Sequence, residues 1–327
     1  MTTQIIGIGN AIVDVIAQAP DMFLDHMGIE KGIMQLVDRD RAELLYAAMK
    51  DRTEVPGGSV ANTIAGLGLL GLPTTFIGKV KDDALGRFYA QSLADAGTSF
   101  PNAPVPDSDD PTSRSMIFVS PDGERSMNTY LGAGADLGEG DVPADAFTGG
   151  GVLFLEGYLY DKPEGKTAFV AAAEAMRAAG GRTGISLSDP FCVNRHRDDF
   201  QRLVAEQLDF VIGNEHEWES LYETDLATGL DRAAQVCETI VCTRSSKPVV
   251  LRSGAETAEA PVTPVTPVDA TGAGDQFAAG FLYGYATGRD LETCGRMGNV
   301  AAAEVISHIG PRPEADLMAL FKQNGLA

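Results

Sequence analysis

Short apolar runs alternate with longer alanine-rich segments along most of the chain. The apolar runs predict buried strands, and they lie at residues 5–8, 74–77, 152–155, 184–187, 210–212 and 249–252. The longer segments have the apolar spacing of helices, and they lie at residues 60–70, 84–94, 166–179, 273–286 and 291–307. This alternation predicts a single three-layer α/β/α domain over residues 1–327, with a mostly parallel central sheet covered by helices on both faces.

Two stretches interrupt this alternation. Residues 12–17 and 33–37 look extended, and residues 113–130 contain Pro121, Asp122 and Gly123, which mark the turn of a β-hairpin. We expect insertions at about residues 11–37 and 108–132 to form a small separate sheet. Beside the mouth of the main domain, such a sheet would act as a lid.

Composition and charge narrow the classes of partner. The chain has 46 acidic and 25 basic residues, and its formal net charge of -21 would repel nucleic acids and anionic lipid surfaces. We therefore expect no nucleic acid or membrane partner. The expected ligand is a small molecule, and the expected assembly is a monomer or homodimer. The four cysteines do not form a disulfide framework, and no signal peptide or membrane helix is evident, so the expected location is cytoplasmic.

One glycine-containing segment has the composition of an anion site with a base beside it. Gly272 and Gly274 let backbone approach a ligand closely, and a predicted helix begins directly after them. The free N–H groups at a helix start attract phosphate. Asp275 lies at the same helix start, where it could accept a proton from an attacking hydroxyl group. The alternative is an ordinary N-terminal helix cap after a glycine-rich turn.

The run DATGAGD at residues 269–275 resembles the Asp-Thr-x-Gly-Ala-Gly-Asp signature of the ribokinase-like (PfkB) carbohydrate kinases. The resemblance implies that the chain uses ATP, with Gly272, Ala273 and Gly274 as the anion hole and Asp275 as the catalytic base. It also implies that Asp269 and Thr271 help to hold a monovalent cation such as K⁺. Backbone groups near Val305 and Gly310 would complete that site.

Further segments resemble the same family over nearly the whole chain. Gly57, Gly58 and Asn62 resemble its substrate-binding Gly-Gly-x-x-x-Asn motif, although Ser59 could also cap a helix there. For the nucleotide side, the resemblance implies roles for Asn214, Glu217 (through water to Mg²⁺), Thr243 and Asn299. Lys81 departs from the family's N-terminal signature, which has Gly at that position. We expect this change to affect only the local turn.

The segment from Gly9 to Asp14 looks more like adenosine kinases than like ribokinases or fructokinases. Bacterial members described as adenosine kinases share it, and so do members described only as sugar kinases. The resemblance implies that Asp14 accepts hydrogen bonds from two ribose hydroxyls, with Asn10 facing the base or the anomeric side. The expected activity is phosphorylation of the hydroxymethyl group of a nucleoside, most simply adenosine. The alternatives are a kinase of a free sugar such as ribose or fructose, and a non-catalytic sugar or nucleotide sensor. A dehydrogenase is disfavoured because Ile12 stands where the third glycine of a dinucleotide fingerprint belongs.

Overall fold

A computed structural model describes residues 3–327 of the chain, which contain fourteen strands and twelve α-helices. The strands are β1 (Ile5–Ile8), β2 (Ile12–Gln18), β3 (Met34–Leu36), β4 (Thr53–Pro56), β5 (Thr74–Ile77), β6 (Thr98–Ser99), β7 (Ser113–Val119), β8 (Arg125–Tyr130), β9 (Val152–Glu156), β10 (Arg182–Ser186), β11 (Phe210–Asn214), β12 (Thr239–Arg244), β13 (Lys247–Ser253) and β14 (Glu256–Ala260). The helices are α1 (Asp21–Met27), α2 (Arg39–Ala48), α3 (Ser59–Leu69), α4 (Ala84–Asp95), α5 (Pro163–Ala178), α6 (Pro190–Arg195), α7 (Arg197–Glu206), α8 (Glu215–Tyr222), α9 (Leu226–Ala234), α10 (Ala273–Ala286), α11 (Leu291–Val305) and α12 (Leu317–Gln323).

Nine strands form the large central sheet, in the order β14-β13-β12-β11-β10-β9-β1-β5-β6. The strands from β6 to β12 pair in parallel, and only β13 and β14 add antiparallel pairs at one side. Both β1 and β9 are buried along their whole length, as strands covered on both faces should be. The prediction of a mostly parallel sheet is confirmed.

The helices cover both faces of this sheet and form two apolar layers. Successive residues of a strand point to opposite faces. Accordingly, Ile5 packs with α3 and α10, whereas Ile6 packs with α5 and the helices that follow it. The large buried side chains of the two layers include Phe169 and Trp218 on one face and Phe281 on the other. The predicted three-layer α/β/α arrangement is therefore confirmed.

Five strands form a second, smaller sheet in the order β3-β8-β7-β2-β4. Strands β7 and β8 are the predicted hairpin, and β2 pairs in parallel with β7. The sheet also contains β4, which the sequence reasoning did not predict. Helices α1 and α2 cover one face with an apolar core of their own, which includes Leu24, Leu45 and Phe118. The other face turns towards the main domain and lines a cavity there.

No helix within residues 3–327 has the length and hydropathy that crossing a bilayer would require.

Candidate active site

The carboxyl ends of β1 and β9 and the first turns of α3 and α10 meet at a cavity of about 190 Å³, which the small sheet also lines. The residues lining it are Asn10, Ile12, Asp14, Met34, Leu36, Gly58, Ser59, Asn62, Ser115, Met127, Thr129, Leu131, Glu156, Tyr158, Asp161, Thr271 and Asp275. We call it the acceptor cavity. The structure thus brings together Asn10, Asp14, Gly58, Asn62 and Asp275, which the sequence assigned to substrate or catalysis.

Asp275 lies in the first turn of α10 and is held from the side of α3. Its carboxylate accepts hydrogen bonds from Ser59 Oγ at 2.7 Å and from Asn62 Nδ2 at 3.0 Å. Thr63 Oγ1 donates to the backbone oxygen of Asp275 at 2.9 Å. Burial raises the pKa of Asp275 to about 6, although the bonds from Asn62 and Ser59 and the charge of Arg312 lower it. The carboxylate is therefore largely ionised at neutral pH and can take a proton from a hydroxyl group.

Gly272 gives the loop before α10 its shape. Its φ is 79°, in the left-handed region, and a Cβ there would lie 2.6 Å from the Cα of Pro311. A glycine is required on both grounds. Within residues 3–327, the N–H groups of Gly272, Gly274 and Asp275 have no hydrogen-bond acceptor, whereas that of Ala273 donates to the backbone oxygen of Ala270 at 3.3 Å. The free N–H groups make the start of α10 suited to a phosphate or a phosphoryl group.

A second cavity of about 580 Å³ lies on the other side of this loop, and we call it the nucleotide cavity. Its lining includes Thr243, Ala273, Gly274 and Asn299, so these predicted nucleotide-side residues do come together. Asn299 also donates hydrogen bonds to the backbone oxygens of residues 260 and 261, which fixes the extended segment along the cavity. The start of α10 therefore separates two cavities, with Asp275 facing one and Gly274 the other.

Asn214 and Glu217 line neither cavity. They bond to each other as a capping box of α8, with Asn214 Nδ2 donating to Glu217 Oε1 at 2.6 Å. Burial raises the pKa of Glu217 to about 7. Across the sheet Asn214 stands opposite Thr243, so the pair is next to the nucleotide cavity. Among residues 3–327, no cluster of three or more His, Cys, Asp or Glu side chains is arranged to hold a metal ion.

The carboxylate of Asp269 is already engaged by the protein. It forms an ion pair with Arg125 of the small sheet and accepts the N–H groups of Thr271 and Gly310, each at 3.0 Å. Gly310 is where the resemblance placed backbone groups of a cation site. Arg125 was not predicted there, and its position links the hairpin of the small sheet to the loop that precedes α10.

Asp14 faces the acceptor cavity with both carboxylate oxygens unpaired. It packs against Gly57, where a Cβ would lie 2.6 Å from Oδ2 of Asp14, and no hydrogen-bond donor within residues 3–327 reaches it. Burial raises the pKa of Asp14 to about 7, opposed by the charge of Arg125 and reinforced by that of Asp275. An unpaired carboxylate in a cavity is an acceptor for ligand hydroxyl groups.

Glu156 is a buried site residue that the sequence reasoning missed. Its carboxylate accepts from Asn10 Nδ2 at 2.7 Å and from the N–H of Val60 at 3.1 Å. It thereby fixes Asn10 and the start of α3, which carries Asn62. Burial raises the pKa of Glu156 to about 7. The signal was an acidic residue closing the apolar strand VLFLE, because a carboxylate at the carboxyl end of a buried parallel strand is unusual without a function.

Lys81 lines neither cavity. Its N–H donates to Thr112 Oγ1 at 3.1 Å, and its backbone has no positive φ, so the turn accepts a side chain at this position.

The family model described as pfkB family carbohydrate kinase matches residues 32–316 of the chain. A probable sugar kinase of Rhizobium etli has a crystal structure with a TM-score of 0.94 to this chain, at 43% identity and with 100% of both chains covered. An adenosine kinase of Sinorhizobium meliloti gives a TM-score of 0.93 at 44% identity, covering 99% of this chain and 100% of its own. A 5-dehydro-2-deoxygluconokinase of Shouchella clausii is 26% identical over 78% of this chain and 81% of its own length.

Proposed function

The chain belongs to the pfkB family of carbohydrate kinases, and we propose that it transfers the γ-phosphoryl group of ATP to the 5′-hydroxyl group of a nucleoside, with adenosine as the first candidate. The observation that carries this proposal is the two-sided lining of the acceptor cavity. One side offers Asp14, Asn62 and Asp275 to hydroxyl groups. The other side is apolar and comes mostly from the small sheet.

The apolar side consists of aliphatic and thioether side chains, and its residues are Ile12, Met34, Leu36, Met127 and Leu131. Leu36 is 47% exposed, and covering its apolar surface with a ligand would be favourable in free energy. A nucleoside would cover this surface with its flat base while its ribose faced the polar side. A free sugar has hydroxyl groups around its whole ring, and these would lose hydrogen bonds against the same surface.

In the proposed reaction, Asp275 accepts the proton of the acceptor's hydroxymethyl group as the oxygen attacks the γ-phosphorus. The bond between the γ-phosphorus and the β–γ bridging oxygen breaks, and ADP leaves. Ser59 and Asn62 hold the carboxylate towards the acceptor cavity. The free N–H groups of Gly272 and Gly274 stabilise the charge on the transferring phosphoryl oxygens. ATP would extend from there into the nucleotide cavity, past Thr243 and Asn299.

A Mg²⁺ ion bound together with ATP would be held mainly by phosphate oxygens and water. Glu217 would hold such an ion through water, beside Asn214 at the edge of the nucleotide cavity. When bound, Mg²⁺ supplies charge neutralisation on the phosphates. Asp269 and Thr271 stay our proposed site for K⁺, which would compete with Arg125 for the carboxylate of Asp269.

A kinase of a free sugar is the second candidate, because Glu156 and Asp161 add carboxylates to the polar side of the acceptor cavity. Both are occupied, however. Glu156 holds Asn10 and Val60, and Asp161 pairs with Arg195 and His196. Among the carboxylates of residues 3–327 that line the acceptor cavity, only that of Asp14 has no hydrogen-bond donor, which fits one vicinal diol better than a chain of hydroxyl groups.

The test is acceptor-dependent release of ADP from ATP, with adenosine, guanosine, ribose, fructose and 5-dehydro-2-deoxygluconate compared at equal concentrations. We expect adenosine to have the highest kcat/KM, and Asp275→Asn should lower the acceptor-dependent rate at least ~10²-fold. A higher kcat/KM for a free sugar than for every nucleoside would refute the nucleoside assignment. No acceptor-dependent release by folded protein would refute the kinase proposal and support a sensor.

A further inference from the structure

Arg312 lies directly behind the proposed base. Its Nε donates to Oδ1 of Asn62 at 3.2 Å, and Nδ2 of Asn62 donates to Oδ2 of Asp275 at 3.0 Å. Nη1 of Arg312 reaches the hydroxyl group of Ser92 on α4 at 3.3 Å. One line of hydrogen bonds therefore runs from the loop after α11 to the first turn of α10.

The orientation of the Asn62 amide depends on its neighbours, because one end accepts hydrogen bonds and the other donates them. Arg312 can only donate, so it selects the oxygen of Asn62 and leaves the nitrogen for Asp275. No other donor within residues 3–327 bonds to that oxygen. Without Arg312 the amide could reverse, and its oxygen would then oppose the carboxylate of Asp275.

The backbone around this line is fixed as well. Gln276, the residue after Asp275, donates from Nε2 to the backbone oxygen of Asn62 at 3.0 Å and to that of Pro311 at 3.1 Å. The same side chain thus joins the segments that carry Asn62 and Arg312. The arrangement is a defined contact between three parts of the chain, since 250 positions separate Asn62 from Arg312.

Arg312 also brings a positive charge without a direct counter-ion. No carboxylate within residues 3–327 lies within 4.0 Å of its guanidinium group, and its Nη2 is buried without an acceptor. Burial lowers the pKa of Arg312. Such a charge is costly to bury unless it interacts with something nearby. Its charge lowers the pKa of both Asp275 and Asp14.

We infer that Arg312 is a positioning residue for phosphoryl transfer: it fixes the Asn62 amide in the orientation that holds the Asp275 carboxylate towards the acceptor cavity. The inference rests on the proposed function of Asp275 as the base. Arg312 is not itself among the residues that line either cavity, so it acts through Asn62 and through its charge.

The kinetic test compares Arg312→Met and Arg312→Lys with wild type. Losing one hydrogen bond to a polar partner and the nearby charge should lower kcat about tenfold, with the KM for ATP changed less than ~3-fold. The acid limb of the kcat–pH profile should move to higher pH by ~0.5 unit or more, and Arg312→Lys should reverse part of that shift. The matched control is Arg197→Met, which removes a half-buried arginine bonded to the backbone oxygen of Ser220 on α8.

The charged groups that interact with Asp275 are Asp14 from β2, Glu156 from β9 and Arg312 itself. A double-mutant cycle of Arg312→Met with Asp275→Asn measures the coupling between these two residues, because Asp14 and Glu156 are unchanged in all four proteins. If Arg312 acts through Asp275, Arg312→Met should change the residual rate of Asp275→Asn by less than ~2-fold. An equal loss in both backgrounds, or an unmoved acid limb, would overturn the inference.

A measurement of stability tests the same geometry without any activity. The folded pKa of Asp275 is raised to about 6, so ionisation is unfavourable in the fold. Wild type should therefore lose stability relative to Asp275→Asn as the pH rises from about 4 to 6. Arg312→Met removes a charge that lowers the pKa of Asp275, so in that background the loss of stability should continue to a pH ~0.5 unit or more above 6. If the Met variant does not fold, Arg312→Lys gives the same comparison. An identical window in both backgrounds would refute the role of Arg312, even if the protein proved not to be a kinase.

Discussion

Replacing Asp14 by Ala tests the nucleoside proposal most directly. Neither oxygen of Asp14 has a hydrogen-bond donor among residues 3–327, so each can accept one of two vicinal ribose hydroxyl groups. A hydrogen bond to a charged group contributes about 1.5–3 kcal/mol when one partner is removed. Losing two such bonds should lower kcat/KM for adenosine by at least ~10²-fold.

The assay is a two-by-two comparison of wild type and Asp14→Ala with adenosine and 2′-deoxyadenosine. The kcat/KM of wild type should be roughly tenfold or more lower with the deoxynucleoside, because one of the two hydrogen bonds to Asp14 is lost and the other remains. Asp14→Ala should show no such discrimination, because the partner of that hydroxyl group is already gone. Glu54→Ala is the matched control: it removes a carboxylate from the neighbouring strand β4, where Glu54 bonds to Tyr46.

The pH dependence of the KM for adenosine is a second test of the contact between Asp14 and the ribose. Burial raises the pKa of Asp14 to about 7, and only the ionised carboxylate accepts hydrogen bonds on both of its oxygens. The KM for adenosine should therefore rise as the pH falls through 7, and this rise should be absent in Asp14→Ala. A coupling energy near zero in the two-by-two comparison would refute the diol contact. The preference for a nucleoside would then rest on the apolar side of the cavity alone.

Three further perturbations have defined outcomes. Asp275→Asn should lower kcat at least ~10²-fold with nearly unchanged ATP affinity, measured by steady-state kinetics and calorimetric titration, and a residual rate above a tenth of wild type would remove Asp275 from its role. Gly272→Ala places a Cβ against Pro311 at a positive φ, so it should destabilise the fold by ~1–3 kcal/mol and lower kcat. Thermal unfolding and rate assays measure both effects, and wild-type values in both would contradict the geometry. Potassium should raise the rate above that in choline at equal ionic strength. The increase should be larger in Arg125→Met, because that variant removes the ion pair with the Asp269 carboxylate. Equal rates in both salts for both proteins would exclude a cation site at Asp269.

Six of the nine strands of the large sheet were predicted because each of them is a short apolar run, which is a local signal. Strands β6, β12 and β14 were not predicted, although β12 lies inside the sheet. The helix at residues 273–286 was predicted with the bounds that the structure shows. The start of α5 was placed at residue 166, three residues late, because Pro163 fixes the first turn without adding to the apolar pattern.

Several of the features that were missed depend on contacts between distant parts of the chain. Strand Thr53–Pro56 is polar and ends in proline, and only its pairing with β2 makes it a strand. Arg125 meets Asp269 across 144 positions, and Arg312 meets Asn62 across 250. No pattern within either segment indicates its partner. Motifs therefore predicted roles for Asp275 and its loop, whereas the residues that hold them required the folded chain.

Both sheets end on strands that are poor templates for another strand. In the large sheet, β6 has two residues, and β14 exposes the carboxylates of Glu256 and Glu259. In the small sheet, β3 has three residues, and β4 ends at Pro56. Short, charged and proline-ended edges discourage the edge-to-edge pairing that begins aggregation. Two open sheets can therefore stand side by side in one chain without offering a long unpaired backbone edge to a neighbouring molecule.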